Sequence, residues 1–447
     1  MYFELKKPDL SKIGEKNLLK NLFDSKNEKI VLDYLKKTFE PEYLYWDNAQ
    51  YKEPVPEGVT KAELWKFVKV IRKAQSIRSS IKKNAEENFF WIKLPYLEEF
   101  FHELDMNTGG ELFVHKQDID KHNKQKLISR GIMEEAIASS QLEGAATSRQ
   151  VAKKMLREGR KPKNASEQMI VNSYLSMREI EDRYKNQKMS LSLLLELHKM
   201  ITDGTKDDKG DQPRLRTNED NIYVIDKATG DIYHNAPDVD FVKKELDALI
   251  KFANDELETD AFVHPIIKAI MLHFWMGYLH PFTDGNGRLA RLLFYWYLLK
   301  KGYWAFAYLP ISKMIKKSPN QYKMAYVYSE QDDNDLTYFI DYNIRKIKLA
   351  MRDFAEYITK ESVSNFKMKK VAELKYKLNE RQIYLLRYLS ADQDEKTTQA
   401  IHMNIYQVTK MTASKDLKDL VSKGFLKSIK QGRNVYYYGT KKIKELF

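Results

Sequence analysis

The stretch His280-Pro-Phe-Thr-Asp-Gly-Asn-Gly-Arg-Leu-Ala-Arg291 lies between two runs of apolar residues set at helical intervals. Upstream, Ile266, Ile267, Ile270, Met271, Phe274 and Tyr278 recur as one side of a helix does, and Pro265 suits its first turn. Downstream, Leu289, Leu292, Leu293 and Trp296 repeat the pattern until Lys300-Lys-Gly302 closes it. The motif is therefore expected to be a loop held between two buried helices, and the fold to be mainly α.

Such a loop suits an anion. Gly285 and Gly287 let the backbone turn with its N–H groups pointing one way. The helix that follows adds unpaired N–H groups and the positive end of its dipole. Arg288 and Arg291, three apart at the helix start, can grip one polyphosphate from the same side. Asp284 is a hard oxygen ligand suited to a magnesium ion bridging phosphates. Asn286 is expected to donate to a phosphate oxygen, and His280 to take a proton from an attacking hydroxyl. These are the parts of phosphoryl-group chemistry.

Outside the loop three parts are expected. Residues 1–124 form an N-terminal helical region, with helical periodicity through Leu64, Phe67, Val68 and Ile71 and again near Leu94, Leu97, Phe100 and Phe101. Residues 125–361 form a helical core with one interruption. There, Asn221-Ile-Tyr-Val-Ile225 and Asp231-Ile-Tyr-His234 read as two short strands joined by Asp226-Lys-Ala-Thr-Gly230. Residues 362–447 hold a linker and a small domain. In it, helices at Gln382–Leu389, Ile401–Val408 and Thr412–Lys423 precede a hairpin of Phe425–Ile429 and Asn434–Tyr438. Gly424 is placed to end the third helix.

Composition narrows the class. At 447 residues, 43% hydrophobic and 31% charged, the chain is a multidomain globular protein and not a disordered one. No run of about 18 apolar residues offers a membrane span, and the start lacks a signal peptide, so no membrane partner and a cytoplasmic location are expected. With no cysteine there is no disulfide and no thiolate metal site or nucleophile. The spacing of His264, His273 and His280 is not that of metal ligands, and His273 reads as a core or surface helix residue. Net charge is +13, and residues 361–447 hold 18 Lys/Arg against 9 Asp/Glu, one footprint of nucleic-acid binding.

The run His280–Arg291 resembles the signature of the Fic (Fido-fold) family, most members of which transfer AMP from ATP with magnesium (or manganese). The resemblance extends from about Arg130 to Ser329 and implies a Fic/Fido helical core with a small β-hairpin flap. It implies His280 as general base, Phe282 as the buried anchor of the loop, and Asp284 as the metal ligand. Thr283, Gly285, Asn286 and Gly287 would bind phosphates, and Arg288 and Arg291 would hold the β/γ end. Asn320 and Tyr322 fall where members build part of the nucleoside pocket. The hairpin at about 221–234 falls where members clamp a target segment by strand pairing, which makes Tyr223, Val224 and Ile225 candidate target contacts. Ser139-Ser-Gln-Leu-Glu-Gly144 is similar to the family's inhibitory pattern, in a helix of about 130–144. There Ser139, Glu143 and Gly144 match, and Glu143 would pair with Arg291 and deny it to the γ-phosphate. In some relatives the same glutamate helps to remove AMP.

The tail resembles a winged helix-turn-helix (α+β) domain. Thr412, Ser414, Lys415 and Lys418 are candidate DNA contacts on its recognition helix, and Arg433 on its wing. The competing reading is a docking or dimer module, with Tyr436, Tyr437 and Tyr438 as interface aromatics. Expected partners are thus a protein target or the chain itself, DNA through the tail, and a second copy in a homodimer. A DNA-binding regulator whose core uses another donor, or mainly removes AMP, is the alternative to an adenylyltransferase.

Overall fold

Helices dominate the computed structural model, which describes residues 1–447 except 12, 14–21, 23–25, 109–120, 206–213, 227–228, 258–261, 391–394, 433 and 447. The elements that frame the site begin with α1 (Lys61–Gln75) and a hairpin of β1 (Ser76–Lys82) and β2 (Asn88–Ile92). Next come α2 (Lys121–Leu142), α3 (Arg149–Glu158), α4 (Ala165–Asp182) and α5 (Leu191–Thr202). A second hairpin, β3 (Tyr223–Ile225) and β4 (Ile232–Asn235), leads to α6 (Val239–Ala253), α7 (Pro265–Leu279) and α8 (Asn286–Lys300). Then follow α9 (Pro319–Gln331) and the long α10 (Thr337–Tyr376). The tail is α11 (Glu380–Ser390), β5 (Lys396–Thr397), α12 (Gln399–Tyr406), α13 (Lys410–Ser422), β6 (Leu426–Gln431) and β7 (Asn434–Gly439).

α7 and α8 form the centre. Pro265 opens α7 behind His264, whose ring Nδ1 accepts from the Ile266 amide at 3.2 Å. Every residue of α7 except Pro265 and Gly277 is buried, as a helix apolar on all sides must be. Gly277 is required there: a Cβ would stand 2.4 Å from the Tyr326 hydroxyl, so its absence lets α9 close on α7. Leu289, Leu293 and Trp296 of α8 are fully buried against the same core.

That core is continuous from Leu22 to Ile358, so Tyr34, Trp65 and Trp91 of the N-terminal region share it with α7 and α8. The N-terminal region also holds more than the helices expected of it. β1 and β2 pair antiparallel, with Ser79, Ile81, Phe89 and Trp91 turned inward. β2 is bound to the turn before α10, where Phe90 N donates to Asn334 O at 2.8 Å. The tail has its own apolar cluster from Leu378 to Leu446. Its sheet order is β5-β7-β6, so the short strand β5 joins the expected hairpin. Tyr436, Tyr437 and Tyr438 are half-buried, and Tyr437 packs against the tail core. Arg433 lies outside the described residues. Among the described residues no helix is long and apolar enough to cross a membrane.

Candidate active site

The C-terminal end of α7 sets the site. His280 caps the helix in the left-handed region (φ 44°), where Pro281 behind it disfavours another helical residue. In this pose its amide donates to Met276 O at 3.2 Å and its ring Nδ1 lies 2.5 Å from Gly277 O. A carbonyl only accepts, so Nδ1 carries the proton and Nε2 keeps a lone pair.

The remaining carbonyls at this helix end are met by two cations from distant segments. Arg216 donates through Nε to His280 O (2.8 Å) and through Nη2 to Leu279 O (3.5 Å) and Pro237 O, while its own amide reaches Pro281 O at 2.9 Å. His234, on β4, donates through Nε2 to Tyr278 O (2.8 Å) and through Nδ1 to the Glu330 carboxylate (2.7 Å). Both of its ring nitrogens face acceptors, so His234 is an imidazolium at a helix C-terminus, where positive charge is favoured. Burial opposes that charge, but Glu330 and the Tyr278 carbonyl outweigh it and raise its pKa. His280 moves the other way. Burial, the His234 charge 6.1 Å away between ring centres, and Arg216 push it down to about 4, against the pull of Gly277 O and Glu143. It is neutral near pH 7.

The loop is anchored from below. Phe282 is fully buried and stacks on His198 at 3.7 Å between centroids, and the His198 Nε2 donates to Asp284 O at 2.9 Å. Gly285 stands at φ 82°, and a Cβ there would meet Thr202 at 2.8 Å. The side chain of Asn286, expected to face a phosphate, is occupied: Nδ2 donates to Phe282 O (2.8 Å) and Oδ1 accepts from Phe282 N (3.0 Å). Four residues of separation bring this amide back onto the Phe282 peptide, so it staples the loop. Arg288 is likewise engaged, donating to Ile201 O at 2.5 Å and to the Asp284 carboxylate at 3.1 Å. Burial lowers its pKa. Asp284 stays 41% exposed and Thr283 half-buried. Among the described residues no three His, Asp or Glu side chains gather as metal ligands.

Above the loop, Ser139 and Glu143 meet Arg291. The guanidinium donates through Nε to Ser139 Oγ (2.8 Å), and through Nη2 to Ser139 O (3.0 Å) and Glu143 Oε1 (2.8 Å). Burial opposes the Arg291 charge, and the Glu143 carboxylate more than restores it, so its pKa is raised. Glu143 follows the last residue of α2, and Gly144 turns the chain away at φ 101°. The carboxylate also covers the first turn of α8: a Cβ on Gly287 would lie 2.2 Å from Glu143 Oε1. A carboxylate thus occupies the anion position of a helix N-terminus. α2 is fixed by buried Glu135, which accepts from Tyr295 OH and Ser312 N, both at 2.8 Å. Tyr322 bonds His273 Nε2 at 2.8 Å and adjoins Arg291, while Asn320 is exposed. His273 is buried.

β3 and β4 pair antiparallel, with Tyr223 and Ile225 exposed and Val224 half-buried on β3. The chain's own start pairs with β4 on its other side, through Phe3 N to Ile232 O (2.9 Å) and Ile232 N to Met1 O (2.8 Å). Sequence reasoning missed Arg216, His198, His234, Glu330 and this pairing of residues 1–3 with β4. Only His234 carried a signal, as the last residue of a strand whose alternation turns it inward.

Residues 188–298 match the model of the Fic/DOC family, a segment that contains α5, the β3–β4 hairpin, α7 and the loop. Ser139 and Glu143 lie outside it. The chain is similar to the protein adenylyltransferase fic-1 of Caenorhabditis elegans, 29% identical over 119 residues, which is 27% of this chain and 21% of that protein. It is also similar to the protein adenylyltransferase Fic of Aedes aegypti, 48% identical over 40 residues, or 9% of this chain and 8% of that one. It thus spans about a fifth or less of these relatives' length. Among solved structures, a Fic family protein from Desulfovibrio desulfuricans G20 aligns with TM-score 0.47 and 18% identity, over 77% of this chain and 95% of that one. Fic-1 from Caenorhabditis elegans aligns with TM-score 0.46 and 16% identity, over 75% and 85%.

Proposed function

We propose that the chain transfers AMP from ATP to a hydroxyl side chain of a protein, itself or a partner, and that Glu143 holds it inhibited. The observation that carries the reading is His280: neutral, its Nδ1 proton tied to Gly277 O, its Nε2 lone pair available beside an anion-binding loop. In the proposed step the hydroxyl oxygen bonds to the α-phosphorus as its proton passes to His280 Nε2. The bond from that phosphorus to the bridging oxygen breaks, and pyrophosphate leaves.

Arg291, once released by Glu143, and Arg288 would take the β/γ end, and the first-turn N–H groups of α8 the phosphates nearer the reaction. Asn286 serves by fixing the loop. Asp284, a single part-exposed carboxylate, fits a magnesium or manganese ion that arrives with the nucleotide and keeps most of its other ligands as phosphate and water. When bound, that ion neutralises phosphate charge. The outer edge of β3 offers a target segment a strand to pair with.

Removal of AMP is the second reading, favoured because the Glu143 carboxylate stands over the first turn of α8, at the end of the loop that begins at His280. For the tail we infer duplex DNA binding through α13, on which Lys410, Lys415 and Lys418 are exposed. The test of the reaction compares ATP, GTP, UTP and CTP in Glu143→Gly, each labelled at the α- or the γ-phosphate. AMP transfer requires α-label from ATP on protein and none of the γ-label. Transfer of γ-label, or preference for another base, refutes it.

A further inference from the structure

A cavity of about 430 Å³ lies in the joint between the catalytic core and the tail, walled by α2, α3, α4 and α10 on one side and α11 and α12 on the other. It is separate from the loop of α8. Its residues on α2, from Ser129 to Met133, precede Ser139 on the same helix by roughly two turns. A volume of this size is that of a small-molecule site.

Its lining has a marked chemical bias. Arg130, Lys153, Arg157 and Arg387 contribute positive charge, and no Asp or Glu among the described residues lines it. Five tyrosines, Tyr388 and Tyr406 among them, supply ring faces. Lys153 is paired outside the cavity with Glu134. Arg130 and Arg157 have no ion-pair partner among the described residues, and each lies over a ring instead. Arg130 stands 3.5 Å from the centre of Tyr357, and Arg157 stands 4.9 Å from that of Tyr388. Burial lowers the pKa of Lys153 in spite of Glu134, and the charges of Arg149 and Arg157 act in the same direction.

A purely structural joint does not need two guanidinium groups, Arg130 and Arg157, that lack a carboxylate partner among the described residues. Cations gathered in a concave, half-enclosed space repel one another and draw in an anion. Guanidinium groups bind phosphate oxygens in pairs, and tyrosine faces accept a flat ring sequence-tolerantly. We propose that this cavity is a second binding site, for a mononucleotide-class ligand: a phosphate on Arg130 and Arg157 and an aromatic base among the tyrosines. The proposal is independent of the transfer reaction, because it concerns binding at residues that take no part in it.

Equilibrium dialysis of the full chain against labelled AMP, GMP and inorganic phosphate tests it. A variant carrying both Arg130→Ala and Arg157→Ala separates uptake here from uptake at the loop of α8, which neither residue lines. The expected result is one saturable nucleotide per chain at this site, weakened about tenfold or more in that variant. Arg157→Gln, which keeps the stem and a donor but removes the charge, gives a smaller loss in a chain whose thermal midpoint is unchanged. The proposal is overturned by no saturable uptake of either nucleotide up to about 1 mM. Uptake undiminished in the Arg130→Ala/Arg157→Ala chain, or inorganic phosphate binding as tightly as AMP, overturns it as well.

Discussion

Replacing Glu143 by Gly removes the carboxylate that bonds Arg291 and covers the first turn of α8. The contact is a charge-assisted hydrogen bond of 2.8 Å to a guanidinium that is only 3% exposed. Such a bond contributes about 1.5–3 kcal/mol net. Taking the negative charge off a helix N-terminus that must receive phosphate adds about 0.3–1 kcal/mol. Together these come to about 3 kcal/mol, or on the order of 100-fold in productive ATP engagement. The assay is the initial rate of α-label incorporation at subsaturating ATP. Glu143→Gln, which keeps the acceptor and loses the charge, should fall between wild type and Glu143→Gly. Arg291 keeps Ser139 as a partner, so the thermal midpoint should drop by only about 2–5 °C, and saturating ATP should restore it. Equal rates in wild type and Glu143→Gly would refute the inhibitory role, whatever the stability change.

Three further outcomes are expected. His234→Gln removes the cation that helps to depress His280, so the acid limb of the kcat/KM profile in Glu143→Gly should move to higher pH, with activity at pH 5 falling relative to pH 8. A merely structural role would scale the profile without moving it. Phe282→Ala should lower stability by about 3–5 kcal/mol, read from a denaturant midpoint, because a buried ring stacked on His198 is lost. For the tail, Lys415→Ala with Lys418→Ala should weaken binding of random duplex DNA and lower its salt slope by about two, measured by titration at several ionic strengths.

The layout of the site was legible where it was local. Helical apolar spacing on either side of the glycines marks a loop between two buried helices without any knowledge of the rest of the chain, and α7 and α8 hold it so. The Ser139/Glu143 pair was legible only through its resemblance to a family pattern; spacing puts the two side chains on one face but does not point to Arg291, which both meet. What escaped is tertiary. Arg216 and His280 are 64 residues apart, and nothing periodic marks an arginine as the cap of a distant helix. His198 looks like any residue of an apolar helix until it meets Phe282. For Asn286 the reason is different: an amide can serve a ligand or its own loop, and its two hydrogen bonds to the Phe282 peptide arise only from the folded loop. β1 and β2 were missed because short strands flanked by strongly periodic helices carry too few alternations to stand out.

The most direct test of the account is the rate of AMP incorporation in Glu143→Gly compared with Glu143→Gly/His280→Ala. If the His280 Nε2 takes the hydroxyl proton, the double variant should lose on the order of 1,000-fold while still binding ATP. Incorporation within about threefold of the single variant would contradict a general base at this position.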